Sequence, residues 1–213
     1  MKNIILIAAP AAGKGTEAVK IKEEYNMPHI STGDLLRAAR DVNPVIAEYQ
    51  DKGMLVPFDI VLGLLKDRIT QSDCDNGYIL DGFPRDLKQA EAYDEILKET
   101  GKDAGVVIVL DVDKDIAAAR IAGRWSCPNC GKVYNVDNPE MKPKVDGKCD
   151  DCNSDLTHRD DDNKEVYEER YNSYLKNTEP LIDFYNKKGI VHHVDSSVSP
   201  DYTHEQVVKI LGE

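Results

Sequence analysis

Four cysteines and a scattered set of basic residues are the groups in this sequence that could do chemistry. Cys127-Pro128-Asn129-Cys130 and Cys149-Asp150-Asp151-Cys152 are two C-x-x-C knuckles with 18 residues between them. Two such pairs at this spacing are a tetrahedral Zn²⁺ pattern, with four thiolates and no open position. A closed site of that kind is structural rather than catalytic, and iron fits the same donors. Gly131 suits the tight turn after the first knuckle. Two reduced or disulfide-bonded pairs are the competing reading, but the start of the chain reads as no export signal. A four-cysteine ribbon can also contact nucleic acid. Here Asp137, Glu140, Asp146, Asp150, Asp151 and Asp155 oppose Lys132, Lys142, Lys144 and Lys148, which argues against that use. Cys74, the fifth cysteine, reads as a bystander in the core or on the surface.

The second constellation would hold phosphate. Ala8-Ala9-Pro10-Ala11-Ala12-Gly13-Lys14-Gly15-Thr16 joins a short apolar run to a helical pattern. A loop there turns backbone N–H groups and a helix N-terminus toward anions. Lys14 would reach the outer phosphates and Thr16 the metal side. The general pattern G-x-x-x-x-G-K-[ST] is broken twice, by Ala8 at the first glycine and Gly15 at the Ser/Thr position. By itself the segment also fits a tight strand–helix turn with no ligand. Further along stand Ser31-Thr32-Gly33-Asp34-Leu35-Leu36-Arg37 and Asp81-Gly82-Phe83-Pro84-Arg85, with Gln89 four residues later. Arg120, Gly123-Arg124, Arg159 and Arg170 follow. An isolated arginine is ordinarily a surface ion pair. A guanidinium also binds phosphate oxygens bidentately and stays charged. Phosphoryl transfer between two polyanions needs such groups for positioning and charge stabilisation.

The elements that must position these residues are legible from periodicity. Ile4 to Ala9 is continuously apolar, as a strand buried on both faces should be. Similar runs recur at Tyr78–Leu80, Val106–Leu110 and Ile190-Val191. Helical patterns run through Ala18, Ile21 and Tyr25, and over Leu87–Glu99, Asp115–Ile121 and Glu165–Asn186. Strands alternating with helices predict a parallel α/β sheet covered on both faces. Residues 31–56, read as helices without a strand between them, and residues 123–160, rich in cysteine and turn formers, look like inserted lobes. A net charge of −12 disfavours a broad nucleic-acid face, so an anionic substrate needs a local basic cluster. No apolar run approaches the ~20 residues of a membrane span. Ile4-Ile5-Leu6-Ile7 reads as a first strand rather than an export signal, which places the chain in the cytoplasm.

From Met1 to about Asp195 these motifs, in this order, resemble the adenylate kinases, specifically the long-form bacterial type with a zinc-binding lid. The resemblance implies a three-layer α/β/α phosphate-loop fold on a parallel five-stranded sheet. It divides the chain into a core (1–30, 57–122 and 161–213), a helical NMP-binding lobe (31–56) and a small zinc-bearing β lid (123–160). It implies Mg²⁺-dependent transfer between ATP and AMP, giving two ADP, by a monomer. Ala12, Gly13, Lys14, Gly15, Thr16, Arg120, Arg124, Val133, Tyr134 and Val198 are implied around ATP. Thr32, Arg37, Met54, Leu55, Val56, Gly82, Arg85, Gln89, Arg159 and Arg170 are implied around AMP. Lys14, Arg85, Arg124, Arg159 and Arg170 would stabilise the transferred group, and Asp81 with Thr16 would organise Mg²⁺. The zinc ligands are Cys127, Cys130, Cys149 and Cys152. Family members usually carry glycine where this chain has Ala8 and Ala11. An alanine forced into left-handed geometry costs ~1–2 kcal/mol, so a weakly active or non-catalytic nucleotide binder is the alternative. A kinase for UMP, CMP or GMP is a sibling reading, against which the Thr32/Gln89 pair and the long lid favour AMP.

Overall fold

The computed structural model describes residues 2–51, 56–158 and 164–212. Strands β1 (Ile4–Ala8), β2 (His29–Ser31), β3 (Ile79–Asp81), β4 (Val106–Asp111) and β7 (Val191–Asp195) form one sheet in the order β2-β3-β1-β4-β7. Every pairing in it is parallel. The remaining strands, β5 (Arg124–Ser126) and β6 (Val133–Asn135), pair antiparallel as a separate ribbon.

The continuous apolar runs have a direct cause. Successive side chains of a strand point to opposite faces, and here both faces are covered. Ile5, Ile7, Leu80, Val107 and Val109 pack with α4 (Phe58–Ile69), α5 (Leu87–Thr100) and α8 (Pro180–Asn186) through Leu65, Ile69, Tyr93, Leu97, Leu181 and Tyr185. Ile4, Leu6, Ile79, Val106, Ile108 and Leu110 pack on the other side with α1 (Lys14–Tyr25) and α9 (Pro200–Leu211), through Ala18, Ile21 and Val207. The expected three layers are therefore present. Burying such aliphatic side chains contributes ~1.5–3 kcal/mol each.

The β2 strand is not announced by an apolar run: it has three residues, pairs only with β3 and holds His29 and Ser31. The β7 strand runs past Ile190-Val191 through two histidines because it is an edge strand, bonded only to β4. Between β2 and α4 lie α2 (Thr32–Ala39) and α3 (Pro44–Asp51), so among its described residues this stretch is helical with no strand between, except that Ser31, its expected first residue, ends β2 in the main sheet. Ser31 caps α2 by accepting from the Asp34 N–H, and Asp86 caps α5 by accepting from Gln89. The last helical stretch is not the single element that Glu165–Asn186 suggests. It comprises α7 (Lys164–Ser173), a π-helical turn (Tyr174–Thr178) and then α8. Among the described residues no helix is long and apolar enough to cross a membrane.

Crossovers from β1 and β3 leave on opposite faces, α1 toward one layer and α5 toward the other. Because β1 and β3 are neighbours, their carboxyl ends flank a crevice, the place where open parallel sheets bind ligands. On the α1 side, α9 is clasped by a polar cluster. His204 places Nδ1 2.8 Å from Glu17, which is 2% exposed, and Nε2 2.8 Å from Glu24. Lys20 pairs with Asp201 beside them.

This cluster predicts a pH-dependent stability. Burial acts first and would lower the His204 pKa, but hydrogen bonds to Glu17 and Glu24 outweigh it and raise the value above 6.5. A raised folded pKa gives stability that is complete below the unfolded value of ~6.5 and lost as pH rises through the folded one. Burial likewise raises Glu17 above 4.5, which carries the same sign at lower pH. Thermal melts of the wild type should fall as pH rises above ~6.5, and His204→Gln should flatten that slope. His204→Ala, which strips the buried Glu17 of its partner, should cost about 1–3 kcal/mol near pH 6.

Candidate active site and metal centre

The loop after β1 has the geometry of an anion cradle. Ala12 N–H bonds back to Ala9 C=O at 3.2 Å, Gly13 has φ 91°, and α1 begins at Lys14 with no side-chain cap. The first N–H groups of that helix are left for a ligand, and the helix dipole favours an anion there. The two alanine departures separate cleanly. Ala8 is an ordinary strand residue in register with Leu110, so glycine is not required. Ala11 has φ 63°, the left-handed geometry that favours glycine.

Lys14 Nζ lies 2.8 Å from Asp81 Oδ1, across the crevice from β1 to β3. His29 Nε2, at the start of β2, lies 3.1 Å from the other oxygen. Burial pushes the Asp81 pKa up, but the His29 hydrogen bond and the Lys14 charge prevail and hold it well below the usual carboxylate range. Asp81 is therefore an ionised, partly buried carboxylate facing the phosphate loop. Sequence reasoning missed His29. Its only signal was its place beside the Ser31 motif.

Beyond Asp81 the chain turns through Gly82, where φ is 78° and a Cβ would lie 3.3 Å from Arg85 Nη2 and 3.4 Å from Thr32 Oγ1. Both backbone geometry and close approach call for glycine here. Arg85 Nε donates to Gly82 C=O at 2.9 Å, and Thr32 Oγ1 donates to the same carbonyl at 3.3 Å. The Arg85 N–H donates to Gln89 Oε1 at 2.8 Å. Desolvation draws the Arg85 pKa down, Asp81 opposes this and Arg170, on α7, adds to it. Thus Thr32, Asp81, Arg85 and Gln89 come together around one loop, within electrostatic reach of Arg170. Arg37 folds back on Asp34 over Gly33, at the solvent-exposed start of α2. Val56 is partly buried beside α4. Met54, Leu55 and Arg159 lie outside the described residues.

On the other side, α6 (Lys114–Ala122) carries Arg120 toward the loop after β7. Its Nη2 donates to Ser196 C=O at 2.8 Å and Ser197 C=O at 3.0 Å. Arg120 thereby shapes the loop that presents Val198, which is 64% exposed. Asn135 Nδ2 donates to Arg120 C=O at 3.0 Å and ties β6 to the end of α6. That contact was not legible in the sequence, where Asn135 is one polar residue among many. Arg124 opens β5 at the base of the lid. Tyr134 points into the lid: its hydroxyl donates to Cys149 Sγ at 3.4 Å and accepts from the Asp150 N–H at 2.7 Å. Val133 precedes it on the opposite face of the strand.

The four lid sulfurs lie within 4.8 Å of one another, and their closest pairs are 3.4 Å apart. Those separations are far too long for a disulfide. They suit a tetrahedral ion, since Zn–S bonds of ~2.3 Å give sulfur–sulfur edges of ~3.8 Å. Each knuckle ends in a left-handed residue, Gly131 after the first and Asn153 after the second. The N–H groups of Gly131 and Asn153 return to Cys127 C=O and Cys149 C=O at 3.0 and 2.9 Å. Asn153 was missed, although asparagine tolerates that conformation better than most residues. Among the described residues the apolar cluster around the sulfurs consists of Tyr134 and Leu156, with Trp125 packed alongside. So small an apolar cluster suits a lobe held together by a metal at these four thiolates. Cys74 is buried beside Arg68, in the sheet core and away from this cluster.

The sequence profile of adenylate kinases matches residues 6–190. An adenylate kinase of Archaeoglobus fulgidus is 46% identical over 98% of this chain and 97% of its own length. One from Clostridioides difficile is 45% identical over 99% and 98%, and one from Listeria monocytogenes 44% identical over 99% of each. The chain belongs to the adenylate kinase family. The expectations of a nucleotide kinase, of a parallel α/β core and of a four-cysteine lid are borne out. The left-handed φ at Ala11 falls where the resemblance leads one to expect glycine, so the alanine there is a strained residue.

Two measurements test this account. Ala11→Gly should raise stability by about 0.5–1 kcal/mol, the left-handed penalty less the entropic cost of glycine. The melting temperature would rise by about 1–4 °C, whereas Ala8→Gly should leave it unchanged or lower it. Metal analysis should find one equivalent of Zn²⁺ per chain, and a chelator that removes it should lower the melting temperature. A metal-stripped protein that melts with the native one would contradict a structural role.

Proposed function

We propose that this adenylate kinase transfers the γ-phosphoryl group of ATP to AMP, giving two ADP, by direct in-line displacement with Mg²⁺. The observation that carries the reading is the crevice between β1 and β3. There Lys14 and the open N–H groups of α1 face Asp81, with Arg85 and Arg170 gathered on the far side. Two anion-holding sets facing one another are what transfer between two nucleotides requires.

In this reading Gly13, Lys14, Gly15 and Thr16 cradle the ATP phosphates, with Ala12 packed beneath the loop. Lys14 exchanges Asp81 for phosphate when ATP arrives. The ionised Asp81 carboxylate, through water, and the Thr16 hydroxyl would organise the Mg²⁺ that accompanies ATP, and the ion would supply neutralisation of phosphate charge. Arg124 and Arg159 close on the phosphates from the lid. Arg120 holds the loop whose Val198 borders the adenine of ATP, and Val133 borders it from the lid, while Tyr134, expected beside it, is turned into the lid interior. Arg37, Arg85 and Arg170 hold the AMP phosphate, while Thr32, Gln89 and the backbone at Met54, Leu55, Val56 and Gly82 receive its adenine. The AMP phosphate attacks directly, so no covalent nucleophile is assigned. Closure of residues 31–56 and 123–160 over a core of 1–30, 57–122 and 161–213 excludes the water that would otherwise take the phosphoryl group. We assign the chain to the cytoplasm as a monomer, as its resemblance to adenylate kinases implies.

The alternative, a nucleotide binder with little or no activity, draws on the strain at Ala11 alone, since Ala8 sits in ordinary strand geometry. Purified protein supplied with ATP, Mg²⁺ and each of AMP, UMP, CMP and GMP should form ADP fastest with AMP. Lys14→Met should lower kcat about 10²- to 10³-fold, the scale of losing one preorganised charge-stabilising donor. No ADP above the enzyme-free rate would remove the catalytic reading.

A further inference from the structure

The helical stretch from α7 to α8 widens at Tyr174–Thr178, where the Glu179 N–H reaches back five residues to Tyr174 C=O at 2.9 Å. Pro180 gives the cause. It has no N–H to donate, and its ring would collide with the carbonyl four residues back in a regular helix. A single π turn opens the space without ending the helix, a device common at functional sites. The wider turn also re-aims Thr178. Its Oγ1 donates to the main-chain carbonyl of Arg85 at 2.9 Å, across 93 residues of sequence.

That bond joins the two elements that carry the acceptor-side arginines. Arg85 sits on the loop after β3, already folded on itself by the bonds to Gly82 and Gln89. Arg170 sits on α7, eight residues before Thr178 and about two turns away. The two guanidiniums are close enough that Arg170 disfavours the charge on Arg85. Two guanidiniums on separate elements can share one anion only if the distance between those elements is held. A tether from one element to the other keeps that gap set for a phosphate.

We propose that Thr178 is a positioning residue of the acceptor site, its hydroxyl fixing the separation of Arg85 from Arg170 so that both reach one monophosphate. This rests on the reading of those arginines as acceptor ligands given above. Thr178→Val keeps the shape and removes the donor, Thr178→Ala removes it without adding a methyl, and Thr178→Ser keeps it. With the wild-type enzyme, Val and Ala should raise the KM for AMP and lower kcat by about 3- to 10-fold each, the scale of one neutral hydrogen bond. The KM for ATP should stay within about twofold and Ser should restore wild-type values. Unchanged AMP kinetics in Val and Ala would overturn the proposal. So would an equal rise in both KM values, or a Ser variant as impaired as Val, since either marks a general structural role. ADP formation by the wild type decides the reaction separately from the Val–Ser contrast, which decides Thr178.

Discussion

The Asp81 carboxylate is held between Lys14 and His29, one to each oxygen, at the carboxyl end of β3. Partial burial makes its charge costly, and those two partners are what keep it ionised. Lys14 opens the helix that follows β1 and His29 begins β2, the two strands that flank β3, so the electrostatics depend on sheet register. Ser31 pairs with Asp81 and Leu6 pairs with Asp81 from the other side. A slip of one residue on either strand would turn every side chain to the opposite layer and leave the carboxylate without its partners. The apolar layers above and below therefore do more than stabilise. They fix the register on which the charge constellation stands.

Around that centre the chain accepts local costs where function or connectivity demands them. Ala11 takes left-handed geometry in the phosphate loop. The helix before α8 gives up regular hydrogen bonding at Tyr174–Thr178 and gains a link to the Arg85 loop. The lid holds too few apolar side chains for a core and uses four thiolates instead. Such departures from regularity persist only where surrounding structure over-determines them. Here they border the crevice or the metal centre.

Much of this was legible in advance. Continuous apolar runs announced β1, β3 and β4, because a strand covered on both faces needs no polar alternation. The cysteine spacing announced the metal centre, because ligand chemistry leaves few alternatives for two C-x-x-C pairs. The motifs around Lys14, Asp81 and Arg85 announced a nucleotide kinase. Less was legible where a residue's part comes from a distant neighbour. His29 and Asn135 look like ordinary polar residues until Asp81 and Arg120 are beside them. The β2 strand is too short for a periodic signal, and the paired histidines of β7 hide an edge strand.

Sequence by itself determined the family, the donor types and which residues are charged, because those follow from residue identity and local spacing. Tertiary structure decided which of the two alanines is strained, since φ depends on how the loop is closed rather than on the residue. It also decided that Tyr134 serves the lid's interior, that Arg120 shapes a loop, and that Thr178 meets Arg85. Each of these is a contact between segments far apart in the chain. Local propensity carries no information about such pairs, and only the packed layers bring them within hydrogen-bonding distance.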